Sequence, residues 1–117
     1  MKIKSFRELE IWKLGKMIVE DTYKTTKSFP DDERFGLTAQ MRRCSVSIPS
    51  NIAEGFMRNY TKEYSQFLHI ALGSCAELDT QVIIAHRRRF LSEVQFEELA
   101  EFINHESRMI SSLINKL

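Results

Sequence analysis

Apolar residues recur every three or four positions through four long segments of this chain, and no segment alternates with the period of two that a strand requires. We therefore predict helices at residues 6–28, 37–57, 61–88 and 93–116, within one domain that spans residues 1–117. The connections between them are short, which places consecutive helices antiparallel to one another. The sequence predicts an all-α, antiparallel up-and-down four-helix bundle.

The spacing also predicts which residues of each helix face the core. These are Leu9, Trp12, Lys16, Val19, Tyr23 and Thr26 in the first helix; Leu37, Met41, Cys44, Ile48 and Ile52 in the second; Tyr64, Phe67, Leu68, Ala71, Cys75, Leu78, Val82 and Ala85 in the third; and Phe96, Leu99, Ile103, Glu106, Ile110, Leu113 and Leu117 in the fourth. Phe102 and Met109 add a second apolar edge to the fourth helix.

Local signals predict where these helices begin. Ser5 with Glu8, and Ser92 with Gln95, have the spacing of capping boxes, in which a serine hydroxyl and a side chain three residues later bond each other's backbone N–H groups. Thr61 is the predicted cap of the third helix.

The segment QMRRCSVSIPSNIAEGFMR, residues 40–58, differs most from a generic amphipathic helix. Pro49 removes one backbone hydrogen bond and crowds the preceding turn, yet the apolar spacing continues through it. We therefore expect a kink without a break, with the Ser45 hydroxyl bonding a freed carbonyl. Gly55 is expected to allow a close approach or to end the helix.

Composition excludes several classes of protein. With 17 basic and 16 acidic residues the net charge is +1, unlike that of a domain dedicated to polyanions. Cys44 and Cys75 match no metal-ligand spacing, and we expect both to be reduced and buried in a cytoplasmic protein. No apolar run approaches the roughly 20 residues that cross a bilayer, so we expect no membrane segment.

The sequence contains little evidence for a catalytic site. A di-iron bundle needs Glu-x-x-His pairs, and the residues three positions before the histidines are Gln66, Ile83 and Phe102. Glu54 facing Glu77 across two helices is the remaining metal hypothesis. The alternative is that Glu54 is partly buried and held by a backbone amide or by a polar neighbour, namely Ser47, Asn51 or Gln81. We predict no catalytic residue, no metal site and no cofactor.

Five arginines form the main candidate site. Arg42 and Arg43 lie near the start of the second helix, and Arg87, Arg88 and Arg89 close the third. In an antiparallel bundle these positions share one end, where an oligomer would repeat them into a ring that binds phosphates. The alternative is structural: the triplet is solvated, and Arg42 or Arg43 pairs, within or between subunits, with a carboxylate from among Asp31, Asp32, Glu33 and Glu77.

Exposed aromatic residues beside basic ones are typical of single-strand binding. Spacing places most of the larger aromatic residues on core stripes: Trp12, Tyr23, Phe67, Phe96 and Phe102. Those at helix ends are candidates for subunit contacts or base stacking: Phe35, Phe56, Tyr60 and Phe90.

Several segments together resemble one family, the four-helix-bundle proteins encoded within intervening sequences of bacterial 23S rRNA genes. The segments that carry this resemblance are Phe29-Pro30, Phe35 to Thr38, Gln40, Arg42-Arg43, Ser47-Ile48, Asn51 to Gly55 and Ile70 to Ser74. The motif residues we assign to the family's structure are Gln40, Ser47, Pro49, Asn51, Glu54, Gly55, Gly73 and Ser74.

The resemblance implies a homopentameric, barrel-like assembly. It also implies kinship with the accessory variability protein of diversity-generating retroelements, a basic pentamer that binds nucleic acid and a reverse transcriptase. This chain departs in two ways, since Arg87 to Phe90 replaces a glycine turn found in many relatives and the net charge is only +1.

We therefore expect a non-enzymatic oligomeric protein that binds structured RNA or DNA through arginine-rich helix ends. The alternative is a protein–protein scaffold or accessory subunit without nucleic-acid binding, in which a second apolar edge on the first and fourth helices docks a partner or sister subunits. A third hypothesis, a carboxylate metalloenzyme, requires Glu54 and Glu77 to meet.

Overall fold

The computed structural model describes residues 2–117, and these contain four α-helices, two short 3₁₀ turns and no strand. The helices are α1 (Glu10–Thr26), α2 (Leu37–Phe56), α3 (Thr61–Arg87) and α4 (Glu93–Lys116). Each helix packs on the next, and α4 returns to pack on α1, in an elongated body of 44 × 24 × 19 Å. The predicted all-helical fold with four helices is confirmed.

Both capping boxes are confirmed, but the first caps a different element from the one predicted. Ser5 and Glu8 bond each other's backbone groups around the 3₁₀ turn Phe6–Glu8. Leu9 is then extended, so α1 begins only at Glu10. The box at Ser92 caps α4 directly. The predicted Thr61 cap is wrong, because Thr61 is already helical and no side-chain bond caps α3.

The core stripes predicted for α2, α3 and α4 are largely confirmed. Ends of the stripes, such as Leu113, are half-buried, and Leu117 is exposed. The largest side chains that are fully or almost fully buried are Ile18, Met41, Ile48, Ile52, Leu68, Leu78, Leu99, Ile103, Ile110, Glu106, Val82 and Thr22.

The stripe predicted for α1 is wrong in its middle, since the helix is rotated by about one residue from the expected orientation. Trp12 and Val19 are half-buried, while Lys16 and Tyr23 are exposed. The residues of α1 that are buried instead are Ile11, Gly15, Ile18, Thr22, Thr25 and Thr26.

Threonines can occupy the core face of α1 because the helix satisfies their hydroxyl groups. The Thr22 hydroxyl donates to the Ile18 carbonyl at 2.7 Å, and the Thr26 hydroxyl donates to the Thr22 carbonyl at 2.7 Å. A buried hydroxyl with such a bond avoids the cost of an unpaired polar group, and its methyl group can then pack as an apolar surface.

Pro49 lies inside α2, and the helix continues through it as predicted. The carbonyl that Pro49 leaves without its usual N–H partner belongs to Ser45. The Ser45 hydroxyl donates instead to the Arg42 carbonyl at 2.8 Å, so the bond predicted for it is wrong. On the other side of the proline, the Asn51 amide donates to the Ser47 carbonyl at 2.7 Å.

By length and composition alone, α3 is apolar enough to cross a membrane. Its inner stripe packs within the bundle, while Ile70, Ile83 and Ile84 on other faces are between 43% and 51% exposed. The helix is therefore apolar on more than its core face. This outward apolar surface was not predicted.

Gly55 and Gly73 occupy contrasting environments. A β-carbon on residue 55 would lie 2.7 Å from Cβ of Phe67, which confirms the close approach predicted at Gly55. A β-carbon on residue 73 would have nothing within 4 Å.

We predict opposite effects of alanine at these two glycines. Gly55→Ala should lower the free energy of unfolding by about 1–3 kcal/mol, because α2 and α3 must separate to admit the methyl group. Gly73→Ala, the matched control, should raise it by up to about 1 kcal/mol through helix propensity. Urea denaturation followed by circular dichroism measures both, and equal effects would contradict the tight α2–α3 contact.

Candidate nucleic-acid interface

The α1–α2 connection and the α3–α4 turn meet at one end of the bundle. The Phe29 and Phe90 rings, one from each connection, pack with centroids 5.5 Å apart. We call this the arginine end and define it as residues 27–36 and 87–92, which include Arg87, Arg88 and Arg89.

All three arginines of the triplet are exposed. None of them lies within ion-pair distance of a carboxylate in the part of the chain that the structure describes. The Arg88 guanidinium lies 5.7 Å from the centre of the Phe90 ring. The triplet therefore presents positive charge that no ion pair among the described residues neutralises.

The triplet also terminates α3 in a strained conformation. Arg89 has a φ of 64°, the left-handed region that helix C-termini usually assign to glycine. The Phe90 N–H bonds the Ala85 carbonyl at 2.9 Å, and the Arg89 N–H bonds the His86 carbonyl at 3.0 Å, which together form a Schellman motif. A side chain in this conformation costs about 1 kcal/mol relative to glycine.

Arg42 has a different role from the triplet. Its Nε donates to the Thr26 hydroxyl at 2.9 Å, and its guanidinium lies 4.7 Å from the centre of the Tyr23 ring. Neither contact is with a carboxylate, and Arg42 forms no ion pair with another residue among 2–117 of the same chain. Arg42 thus fastens α2 to the end of α1.

Arg43 is exposed and lies at some distance from the triplet. Neighbouring Cys44 donates to the Ser74 carbonyl at 3.2 Å and lies beside Glu77. Arg43 therefore lies at about the level of Glu77 on α3. Glu77 is ten residues before Arg87, which corresponds to about 15 Å along the helix. Within one chain the five arginines form two groups in the same half of the bundle.

An exposed aromatic residue stands at the arginine end. Phe35 is 88% exposed, and the Arg34 guanidinium lies 5.4 Å from the centre of its ring. Phe90 is half-buried against Phe29 and therefore packs within the chain. Sequence spacing identified Phe35 as a helix-end residue, but its near-complete exposure follows only from the structure.

Two acidic residues near the triplet already have partners. Glu33 accepts from the Leu37 N–H at 3.0 Å and so caps α2. Glu93 lies 2.7 Å from Nε2 of His86, whose ring stacks on Phe96 with centroids 3.9 Å apart. Two further carboxylates at this end are exposed, those of Asp31 and Asp32.

The opposite end of the bundle differs in charge. Arg58 lies 2.9 Å from a Glu54 carboxylate oxygen and 3.7 Å from Glu63. Its guanidinium also covers the Phe67 ring at 4.7 Å. Tyr60 there is 68% exposed, while Phe56 packs on a neighbouring tyrosine ring. Tyr60, the most exposed aromatic residue at this end, therefore follows Arg58 by two positions. The charge of Arg58 is already neutralised by carboxylates.

Glu54 and Glu77 lie far apart. Glu77 is beside Cys44, whereas Glu54 is about 15 Å further along α2. Glu54 is exposed and paired with Arg58, so the expectation that it is partly buried is also wrong. No cluster of three or more metal-binding side chains occurs in residues 2–117.

The two thiols are buried and unpaired, as predicted. Burial raises the pKa of Cys44 to about 12, assisted by the nearby Glu77 carboxylate. Burial likewise raises the pKa of Cys75 to about 12. Both side chains therefore remain thiols at neutral pH, and a thiol is a poor nucleophile compared with a thiolate.

Of the remaining motif residues, two are serines that bond or pack within the bundle and two are exposed. Ser47 donates to the Cys44 carbonyl at 2.6 Å, and Ser74 is buried beside Cys44. Gln40 and Gly73 are exposed.

Comparisons with known proteins agree with this architecture. A family model described as 23S rRNA-intervening sequence protein matches residues 7–112. The chain is similar to a crystal structure of a protein of unknown function from the S23 ribosomal protein family of Bacteroides thetaiotaomicron, with a TM-score of 0.83 and 18% identity. The match covers 90% of this chain and 95% of that chain. No curated protein sequence matches this chain.

We predict that Arg89→Gly stabilises the protein. Glycine adopts the left-handed conformation without steric cost, so the free energy of unfolding should rise by about 1 kcal/mol. Arg88→Gly is the matched control, because Arg88 has right-handed geometry and gains no relief from glycine. Urea denaturation compares the two variants, and destabilisation by Arg89→Gly would contradict the strained conformation.

Proposed function

The chain belongs to the family of 23S rRNA-intervening sequence proteins, and on that premise we propose that it is a non-enzymatic, oligomeric, cytoplasmic protein that binds structured RNA or DNA through its arginine end. Arg87, Arg88 and Arg89 are the principal contacts, and Arg43 is a secondary one. Arg42 acts by holding α2 against α1.

The observation that supports this proposal most strongly is the left-handed backbone conformation of Arg89. Glycine would be more stable in that conformation, so arginine there is kept at a cost to folding. Backbone strain of this kind is concentrated at functional sites. A guanidinium that binds phosphate is a function that glycine could not supply.

The low net charge of the chain is consistent with nucleic-acid binding through a local group of arginines. At a net charge of +1 the protein has little long-range attraction for nucleic acid. Binding must then come from short-range contacts with phosphates, and each guanidinium can make two parallel hydrogen bonds to one phosphate group. Phe35, beside Arg34, offers a flat apolar surface to an unpaired base.

Assembly into a homopentamer would multiply these contacts. A ring brings the triplets of all its subunits to one rim, and the later contacts then form at a high effective concentration. The outward apolar face of α3, with Ile70 and Ile84, provides a surface for subunit packing.

The absence of enzymatic activity in this proposal rests on the chemistry of the residues present. Both thiols have pKa values raised to about 12 by burial, and Glu54 is exposed and paired with Arg58. Neither arrangement provides an activated nucleophile.

Charge reversal tests the proposed interface. Arg87→Glu with Arg88→Glu should weaken binding to a ribosomal RNA hairpin at least about tenfold and should flatten its salt dependence, since fewer counterions are released. Fluorescence anisotropy across a salt series measures both effects. The matched control is Lys62→Glu with Lys116→Glu, two exposed residues near the opposite end.

Binding that is equally affected by both double variants would place the interface elsewhere. Arg89→Gly adds an independent check, because we expect that variant to be more stable and yet to bind less tightly. A loss of binding in a stabilised protein cannot be attributed to unfolding.

The second candidate function is a protein–protein scaffold without nucleic-acid binding. The outward face of α3 favours it, since Ile70 is 51% exposed and Gly73 permits a close approach from outside. The sequence predicts a docking edge on the first and fourth helices, but Met109 of that edge is half-buried in a groove against α1.

We predict that Ile70→Asp dissociates the oligomer. A carboxylate at the centre of an apolar contact leaves a buried charge without a partner. Val94→Asp is the matched control, because Val94 is 70% exposed and lies at the start of α4. Sedimentation velocity reports the mass, and an intact assembly in Ile70→Asp would exclude this face as the interface.

A further inference from the structure

The contact between α1 and α4 differs from the other three helix–helix contacts. It is the least extensive of the four. It also holds the only two carboxyl groups with a buried oxygen that lacks a partner in residues 2–117, those of Asp21 and Glu106. We call this contact the acidic seam and define it by Gly15 and Asp21 of α1 with Glu98 and Glu106 of α4.

Glu106 is completely buried, with 0% exposure. Neither of its carboxyl oxygens has a hydrogen-bond partner in the described part of the chain. A β-carbon on residue 15 would lie 2.9 Å from Oε2, so the carboxyl group fills the space that glycine leaves on α1. Pro49 and Ile48 of α2 border the same space.

The surroundings of Glu106 favour its neutral form. Glycine faces it from α1, Ile48 and Pro49 border it from α2, and the Cys75 thiol is the neighbouring titratable group on α3. Burial alone raises the pKa of Glu106 to about 8. At neutral pH the carboxyl group is therefore mostly protonated.

Asp21 and Glu98 form a second, less buried acidic point on the seam, since Asp21 is half-buried and Glu98 is exposed. Asp21 of α1 has a buried carboxylate oxygen without a partner. Burial raises its pKa, the Glu98 carboxylate raises it further, and Lys24 partly lowers it. Asp21 lies six residues from Gly15 along α1, and Glu98 lies eight residues from Glu106 along α4, so the two points are about 9–12 Å apart along the seam.

We propose that the acidic seam is a proton-dependent joint, which is closed while Glu106 is protonated and loosens when Glu106 becomes charged. Protonated carboxyl groups can remain between the helices at a modest cost, whereas charged ones must reach water. Because α4 packs more extensively on α3 than on α1, the seam is where the bundle opens. Opening would expose buried apolar residues of the two helices, such as Ile18 and Leu99.

The direction of the pH effect follows from proton linkage. In the unfolded or opened state Glu106 has an ordinary pKa, 4.5, whereas in the closed state its pKa is about 8. The stabilisation from protonated Glu106 is fully present below pH 4.5 and is lost as the pH rises through about 8. Asp21 shifts the equilibrium in the same direction.

Hydrogen exchange at pH 6 and pH 9 tests this proposal. We compare protection factors, which remove the intrinsic pH dependence of exchange. In the wild-type protein, protection of amides in α1 and α4 should fall roughly tenfold to hundredfold at pH 9, while α2 and α3 change less. In Glu106→Gln this loss should nearly disappear. Glu101→Gln, an exposed residue on the same helix, should behave as the wild type.

A second measurement decides the question even if Glu106→Gln does not fold. Carbon-13 NMR of the wild-type protein follows the Glu106 carboxyl group, assigned through its own backbone amide. A midpoint near neutral pH or above supports the joint. A midpoint near pH 4.5, a uniform loss of protection across all four helices, or an unchanged loss in folded Glu106→Gln would each overturn it.

Discussion

The close approach of three helices at Gly15 is the constraint on which the rest of the structure depends. Because residue 15 lacks a side chain, the Glu106 carboxyl group and the Pro49 ring can both approach the backbone of α1. That approach determines the rotation of α1, so its core face consists of Gly15, Ile18 and the threonines. The same rotation turns Trp12 and Val19 toward a groove beside α2. A larger residue at position 15 would force α1 away from both neighbours.

The sequence predicts the core face of a helix well where that face consists of apolar residues, and poorly where it includes glycine and threonine. The stripes of α2, α3 and α4 consist mostly of apolar residues at helical spacing, and most of their residues were predicted correctly. The stripe of α1 was not, because hydropathy patterns favour Trp12 and Tyr23 over Gly15 and Thr22. A threonine becomes a core residue only when its hydroxyl bonds the preceding turn, which the apolar pattern does not reveal. The capping boxes were predictable because they depend on residues only three positions apart.

The candidate site shows the same division between local and long-range effects. The order of the helices was sufficient to place Arg87 to Arg89 at the same end as the start of α2. Three features depend on long-range packing or on a backbone dihedral angle, and the sequence could not give them: the contact of Arg42 with Tyr23, the exposure of Phe35 and the left-handed conformation of Arg89. A structural relative with 18% identity establishes the shared fold but assigns no role to these residues.

The most direct measurement of the central claim is the affinity of the wild-type protein for a ribosomal RNA hairpin and for an unrelated duplex, across a salt series. If the arginine end contacts several phosphates at once, the logarithm of affinity should fall with the logarithm of salt concentration with a slope of several units. We predict that steep slope. A difference in affinity between the two ligands would indicate that the protein recognises RNA shape. Undetectable binding to both ligands at low salt would contradict a nucleic-acid interface and would favour the protein scaffold.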